Sequence, residues 1–279
     1  MQRVRYITVR VRLSDATHAT MPRNDEARGV SGAIRMYWRA VLGELVATAL
    51  LVLLGIASLV PKISQTDTLI GPPLAHPALA FGFVVLCLVQ AFGEVSGAHM
   101  NPAITLASTL LGRTPIVLAV AYTIAQMIGA TLGYAALYSI TPQRILNEIP
   151  ALGVTLPANG FSPLAATVVE ALITGLVILL ACALWTGKHD PSASIKFGLV
   201  VAGCVYVGGE MTGASLNPAR SFGPALVTQH WEYLWVYWVG PLAGAALFAL
   251  LHKYVLAPQA HKPPPPAREE LPLNDKNNC

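Results

Sequence analysis

The tripeptide Asn-Pro-Ala occurs twice, at Asn101-Pro102-Ala103 and Asn217-Pro218-Ala219, and each copy opens an apolar stretch of nine residues, AITLASTLL (103–111) and ARSFGPALV (219–227). Asn is a favoured helix N-cap and Pro is favoured at the first helical position, so each copy predicts a helix start. At 1.5 Å per residue such a helix covers roughly 15 Å, about half of a hydrocarbon core of roughly 30 Å. Two half-spans put non-helical backbone at membrane depth, which is tolerated only around a wet cavity. The pairing points to a pore.

Composition agrees with a membrane chain. Of 279 residues, 54% are hydrophobic and only 11% charged, against about 25% charged in soluble domains. Six longer apolar segments can be drawn, at about 37–60, 74–93, 115–139, 163–185, 195–209 and 233–256, separated by Pro, Gly and polar clusters. Fifteen of the 18 Lys and Arg fall on one side of these spans; only Lys62, Arg144 and Arg220 remain for the other. The positive-inside rule therefore predicts two cytoplasmic termini, as an even number of spans requires. The formal net charge of +4 then follows from topology and calls for no nucleic-acid partner.

The chain repeats internally. ELVATALLVLL from Glu44 resembles EALITGLVILL from Glu170, and SGAHMNPAITLA from Ser96 resembles TGASLNPARSFG from Thr212. Each half holds three full spans and one half-span. Three is odd, so the second half enters the membrane from the opposite side and the repeat is inverted. The expected fold is all-α: six transmembrane helices plus two half-helices, with halves at about 35–140 and 160–256. The half-helix at Asn101 dips in from the cytoplasm, the one at Asn217 from outside, and their N-termini meet near the midplane. Two helix N-termini place roughly half a positive charge each at that point, together with donors from two Asn side chains. Cations are disfavoured there, while a neutral molecule with acceptor lone pairs can pass and a water file loses its proton-hopping orientation. The stretches before the motifs supply the expected pore carbonyls, Gly97, Ala98, Gly213 and Ser215. Glu44 and Glu170 are buried carboxylates that either relay protons or, as their symmetry favours, brace the two loops; His99 either braces its loop or senses pH. His76 and His189 lie near span ends and receive no role.

The chain resembles an aquaporin of the major intrinsic protein family. The resemblance covers residues 35–256: both Asn-Pro-Ala boxes, the flanking SGAHMNPA and GASLNPARSFGPA, Glu44 with Glu170, and YWVGPLAGA in the last span. One box recurs by chance; a duplicated box followed by Arg220 is highly specific. The resemblance implies water as permeant, a homotetramer with one pore per subunit, and a narrow filter whose positions match Phe81, Val205, Ala214 and Arg220. In the other half-helix the residue matching Arg220 is Ile104. Strict water channels of the family usually have His where this chain has Val205. Valine removes a polar contact, frees width and offers an apolar wall to the carbon face of glycerol or urea. Against that, Ser221 stands where glycerol facilitators commonly carry Asp, and Ala225, Tyr237 and Trp238 follow the water-channel pattern. The mixture is similar to insect glycerol-permeable aquaporins derived from water channels, and leaves open water alone or water with small neutral solutes.

Other classes fare worse. A secondary transporter also has inverted repeats and broken helices, but beyond the Glu pair no acidic or hydroxyl cluster offers a coupling-ion site. A structural or adhesion role would rest on the aromatic run Trp231, Tyr233, Trp235, Tyr237 and Trp238, which a membrane-interface belt explains more simply. No nucleophile set, metal-ligand spacing or phosphate loop is present, so neither an enzyme nor a cofactor is expected. Cys87, Cys182 and Cys204 fall in spans and Cys279 ends the chain, which gives no disulfide framework. Many family members carry a pore Cys where this chain has Ala214, so mercurial block through that position is expected to be absent, with Cys204 the exception to watch. Residues 1–34 and 257–279 read as cytoplasmic tails, the first Arg-rich, with Met21 an alternative start, the second disordered with a short polyproline run. The acid-poor opening MQRVRYITVRVRL also imitates an organelle presequence, but Arg-rich flanks are what orientation already demands; the plasma membrane is the expected location.

Overall fold

The computed structural model describes residues 30–187 and 190–257; most of the two tails, with Met21 and Cys279, and also Lys188 and His189, lie outside the described residues. The elements in chain order are α1 (Val30–Ala57), a hairpin of β1 (Lys62–Ile63) and β2 (Leu69–Ile70), α2 (Ala75–Ser96), α3 (Pro102–Leu110), α4 (Ile116–Ile140), α5 (Gln143–Glu148), α6 (Pro163–Thr186), α7 (Ala193–Thr212), α8 (Pro218–Thr228) and α9 (Val236–Leu251), whose last turn loosens into a π-helical stretch, His252–Leu256. Six of these are long and apolar enough to cross a membrane. The short helices α3 and α8 are the two half-spans.

The ends of the elements follow from their caps. Asn101 and Asn217 take extended backbone and accept from the amides of Ala103 and Ala219, with Pro102 and Pro218 in the first turn. Glycines in the left-handed region, Gly97 and Gly213, stop α2 and α7. Both helices therefore run three residues past their expected ends at 93 and 209. The polar signals Gly93-Glu94 and Gly208-Gly209-Glu210 are absorbed inside the helices, because Ser96 and Thr212 must reach the buried carboxylates described below.

Packing reproduces the sequence repeat. α1 lies on α4 as α6 lies on α9; α1 touches α2 as α6 touches α7; α3 reaches α9 as α8 reaches α4. The two halves join where α2 crosses α7. There a Cβ built on Gly82 would stand 2.7 Å from the carbonyl of Gly198, and one on Gly198 would stand 2.7 Å from that of Gly82. Only glycine lets the two backbones come this close, as in membrane helix pairs generally. All six long helices and both half-helices contribute buried residues to one main cluster. Large aliphatic side chains such as Ile116, Val117, Leu164 and Leu199 stay exposed on the outside of the bundle, as a hydrocarbon solvent allows.

The connections differ between the two ends. At the end shared by residues 30 and 257, Arg113 donates to the carbonyl of Trp185 at 2.9 Å and Lys253 to that of Leu110 at 2.9 Å. Before α7, Lys196 and Ser192 hydrogen-bond the Asp190 carboxylate and hold it below the usual carboxylate range. At the other end the β1–β2 hairpin is tied to α5 through Asp67 and Arg144. Between α5 and α6 the chain turns inward, burying Leu152 under the hydroxyl of Tyr134, 2.6 Å from the Leu152 carbonyl.

Candidate functional site

Each loop that precedes an Asn-Pro-Ala box is held by one buried carboxylate. Glu44 on α1 accepts from the Ser96 hydroxyl at 2.6 Å, the His99 amide at 2.8 Å, the Met100 amide at 2.6 Å and the Gln126 side chain at 2.8 Å. Glu170 on α6 accepts from the Thr212 hydroxyl at 2.7 Å, the Ser215 amide at 2.9 Å and the Leu216 amide at 2.8 Å. Both carboxylates are 0% exposed. Glu44 thus accepts four hydrogen bonds and Glu170 three, most of them from the loop that each underlies.

The braced loops are contorted in the same way. Gly97, Ala98 and Met100 have φ of 88°, 48° and 52°; Gly213, Ala214 and Leu216 have 79°, 43° and 56°. Non-glycine residues with positive φ are uncommon and persist where surroundings over-determine them. The result is a reciprocal clasp at the centre: Asn101 Nδ2 donates to the Leu216 carbonyl at 2.9 Å and Asn217 Nδ2 donates to the Met100 carbonyl at 2.8 Å. Each Asn therefore spends its Oδ1 on its own helix cap and one amide hydrogen on the opposite loop. One hydrogen on each nitrogen remains, since an amide carries two. The sequence pattern suggests these donors but not the clasp that orients them.

A cavity of about 100 Å³ opens at this junction, room for about three waters at roughly 30 Å³ each. Its lining includes Asn101, Asn217, Gly97, Ala98, Ser215 and His99, together with apolar Leu51, Val85 and Val177. Gly97, Ala98 and Ser215 of the expected carbonyl set border it, whereas Gly213 does not, because it caps α7 and packs against Thr155. His99 both borders the cavity and bonds Thr105, 3.1 Å from its Nδ1, and its ring meets Tyr122 edge-on at 5.4 Å. Trp185 borders the cavity too, 6.0 Å from the His99 ring, a position that no local pattern in the chain singles out.

Arg220 and Phe81 border the cavity, and the guanidinium carbon lies 5.7 Å from the Phe81 ring centre. Arg220 is 4% exposed and donates from a terminal nitrogen to the Gly153 carbonyl at 2.5 Å, while its Nε has no protein partner. Val205 and Ala214 are buried in the same apolar cluster as Phe81 and are not part of this cavity's wall. Space for Phe81 comes from α1, where a Cβ on Gly55 would fall 2.3 Å from the ring. Ile104 borders the cavity from the other half-helix and brings no charge. Thr174 borders it as well with its hydroxyl unpartnered. Cys204 is buried with its thiol 3.4 Å from the Ile173 carbonyl. Among the described residues no group of His, Cys, Asp and Glu could hold a metal ion.

Residues 33–252 match the model of the family described as Major intrinsic protein. The chain is 40% identical over 227 residues to the lens fiber major intrinsic protein of Gallus gallus, across 80% of this chain and 84% of that protein. It is 36% identical over 227 residues to Aquaporin-4 of Mus musculus, across 80% of this chain and 68% of that protein. Among solved structures, the aquaglyceroporin from Plasmodium falciparum shares the fold with a TM-score of 0.71 at 24% sequence identity, over 79% of this chain and 97% of that one.

Proposed function

The chain belongs to the major intrinsic protein family and is a membrane channel, not an enzyme, and on that premise we propose that it conducts water passively down osmotic gradients, admits small neutral solutes such as glycerol or urea, and excludes protons and ions. The observation that carries this reading is the clasp at the cavity: two half-helix N-termini face each other with one unused amide hydrogen on each of Asn101 and Asn217. Donors and helix dipoles at one point repel cations and turn the oxygen of each passing molecule toward the same two groups. Arg220 beside Phe81 adds a second donor site and a fixed positive charge at one end only. With Val205 in place of an imidazole, no second polar side chain joins Arg220 from that position, and the apolar cluster of Phe81, Val205 and Ala214 suits the carbon face of a small polyol or amide. On the same reading both termini face the cytoplasm, the filter faces outward, and four copies assemble in the plasma membrane with one pore each.

Stopped-flow light scattering on proteoliposomes tests this. Rapid osmotic shrinkage with a low activation energy, measurable glycerol or urea uptake, and loss of that uptake in Val205→His are expected. No water flux above that of empty vesicles overturns the channel reading. Rapid water flux with no solute uptake in the native protein overturns the account of Val205 alone.

A further inference from the structure

The segment between α5 and α6 is tied to the second half-helix by more than the Arg220 contact. Thr155 Oγ1 lies 2.7 Å from Ser221 Oγ, Ser221 Oγ lies 2.6 Å from Ser215 Oγ, and Ser215 Oγ donates to the Asn217 carbonyl at 2.9 Å. Three residues beyond Thr155, the Ala158 amide donates to the Met211 carbonyl at 2.9 Å, in the last turn of α7. Thr155, Ser221 and Ser215 are 3%, 1% and 6% exposed, so no bulk water competes for these hydroxyls.

A hydroxyl has one hydrogen to give. With Ser215 giving its own to the Asn217 carbonyl, the set is satisfied when Ser221 donates to Ser215 and Thr155 to Ser221; the Thr155 hydroxyl also meets the side chain of Tyr237. In that arrangement the relay runs from the connecting segment to the second Asn-Pro-Ala box, with Thr155 at its head.

The first half solves the same task without a loop. There His99 stands where Ser215 stands, Thr105 where Ser221 stands, and Gln126 of α4 closes the set at 3.0 Å from Thr105. Tyr122 and Tyr237 each donate to the carbonyl of the residue ending α2 or α7, Ser96 and Thr212, at 2.8 Å. These two tyrosines align α4 with α9 and put Pro241 where Gln126 would be. A proline side chain has no donor. The third polar group of the second half therefore has to come from elsewhere, and Thr155 supplies it.

We propose that Thr155 is a filter-positioning residue: its hydroxyl heads a buried relay that fixes the start of α8, and with it Arg220, so the connecting segment sets the solute cutoff of the pore. This rests on the channel reading above. Together with the Gly153 carbonyl, the relay grips Arg220 from both sides, through its side chain and through the first turn that carries it. Losing the donor at Thr155 leaves Ser221 still able to donate to Ser215, so the fold survives while the register of α8 against the segment loosens.

The test compares native protein, Thr155→Val, which keeps shape and deletes the hydroxyl, and Thr155→Ser, which restores it. All are reconstituted after gel filtration, and urea and water permeabilities are measured on the same vesicles. Thr155→Val is expected to raise the urea-to-water ratio about five-fold, the factor that corresponds to one ordinary hydrogen bond, while Thr155→Ser keeps the native ratio. A monodisperse Thr155→Val with the native ratio overturns the proposal, as does a Thr155→Ser that shares the valine defect, which would assign the effect to packing. Should Thr155→Val fail to reconstitute, Ser221→Ala cuts the same relay from the half-helix and the same ratio decides. Native vesicles without water flux sink the channel reading itself; native flux with an unmoved ratio in both variants sinks the relay alone.

Discussion

The loop before Asn101 hangs on a carboxylate that accepts four donors, the loop before Asn217 on one that accepts three. The missing fourth is Gln126, whose counterpart is Pro241. The two loops also share their left-handed residues and the reciprocal Asn clasp. What differs is where each loop is finished. The first closes on helices only, through His99, Thr105 and Gln126. The second reaches across to the segment after α5, through Thr155 and the Gly153 carbonyl, and carries the buried Arg220. The comparison teaches that common bonds place the two N-termini, while the unshared ones tie only the second half to the connecting segment and to Arg220; on the proposed reading it is these that decide what passes.

The largest effects come from breaking what the halves share. Glu44→Ala and Glu170→Ala each leave buried loop donors unpaired, a cost of about 3 kcal/mol or more. Glu44→Ala is expected to lower the thermal midpoint in detergent further than Glu170→Ala, because one more donor is orphaned; the reverse order would contradict the bond inventory. Next is Gly55→Ala. The added methyl has no room beside the Phe81 ring, so the ring is pushed toward Arg220, and urea uptake is expected to fall more than water flux in the proteoliposome assay. Gln126→Leu should then show a stability loss without a selectivity change. It removes two hydrogen bonds from the first half, worth about 1 to 2 kcal/mol together, and the urea-to-water ratio is expected to stay native. A shifted ratio would mean the first loop also shapes the filter. The smallest effect is expected at Cys204→Ser. This thiol is buried on the Ile173 carbonyl outside the cavity wall, so mercurial sensitivity, if the native protein has any, is expected to change little on its removal.

Much of this comparison could be read from the chain. The half-spans were legible because Asn-Pro writes a helix start in two residues, and the inverted repeat because three spans per half is odd. Glu44 and Glu170 stood out as carboxylates inside apolar runs. The illegible parts are those whose meaning lies in distant pairing. Gln126 sits in an apolar span and looks like a tolerated polar residue until Glu44 is brought beside it. Gly153 and Thr155 lie in a connection of turn-forming residues, and nothing local says that the chain folds inward there to meet Arg220 and Ser221. Local polarity at Glu94 and Glu210 predicts shorter α2 and α7 than the structure has, because the reach of Ser96 and Thr212 to their carboxylates is a long-range need. Local rules mark where elements begin; partners far along the chain decide how far they run.

The most direct test gives the second half-helix the residue of the first. In Arg220→Ile the shared scaffold bonds are retained while the positive charge and its contacts with the Gly153 carbonyl and the Phe81 ring are lost; Ile104→Val serves as the matched change in the other half. Water and urea permeabilities measured side by side in proteoliposomes are expected to show a severalfold rise in the urea-to-water ratio for Arg220→Ile, with water flux maintained and Ile104→Val unchanged. Equal ratios in native protein and Arg220→Ile, or an equal shift in both variants, would contradict the assignment of selectivity to the second half alone.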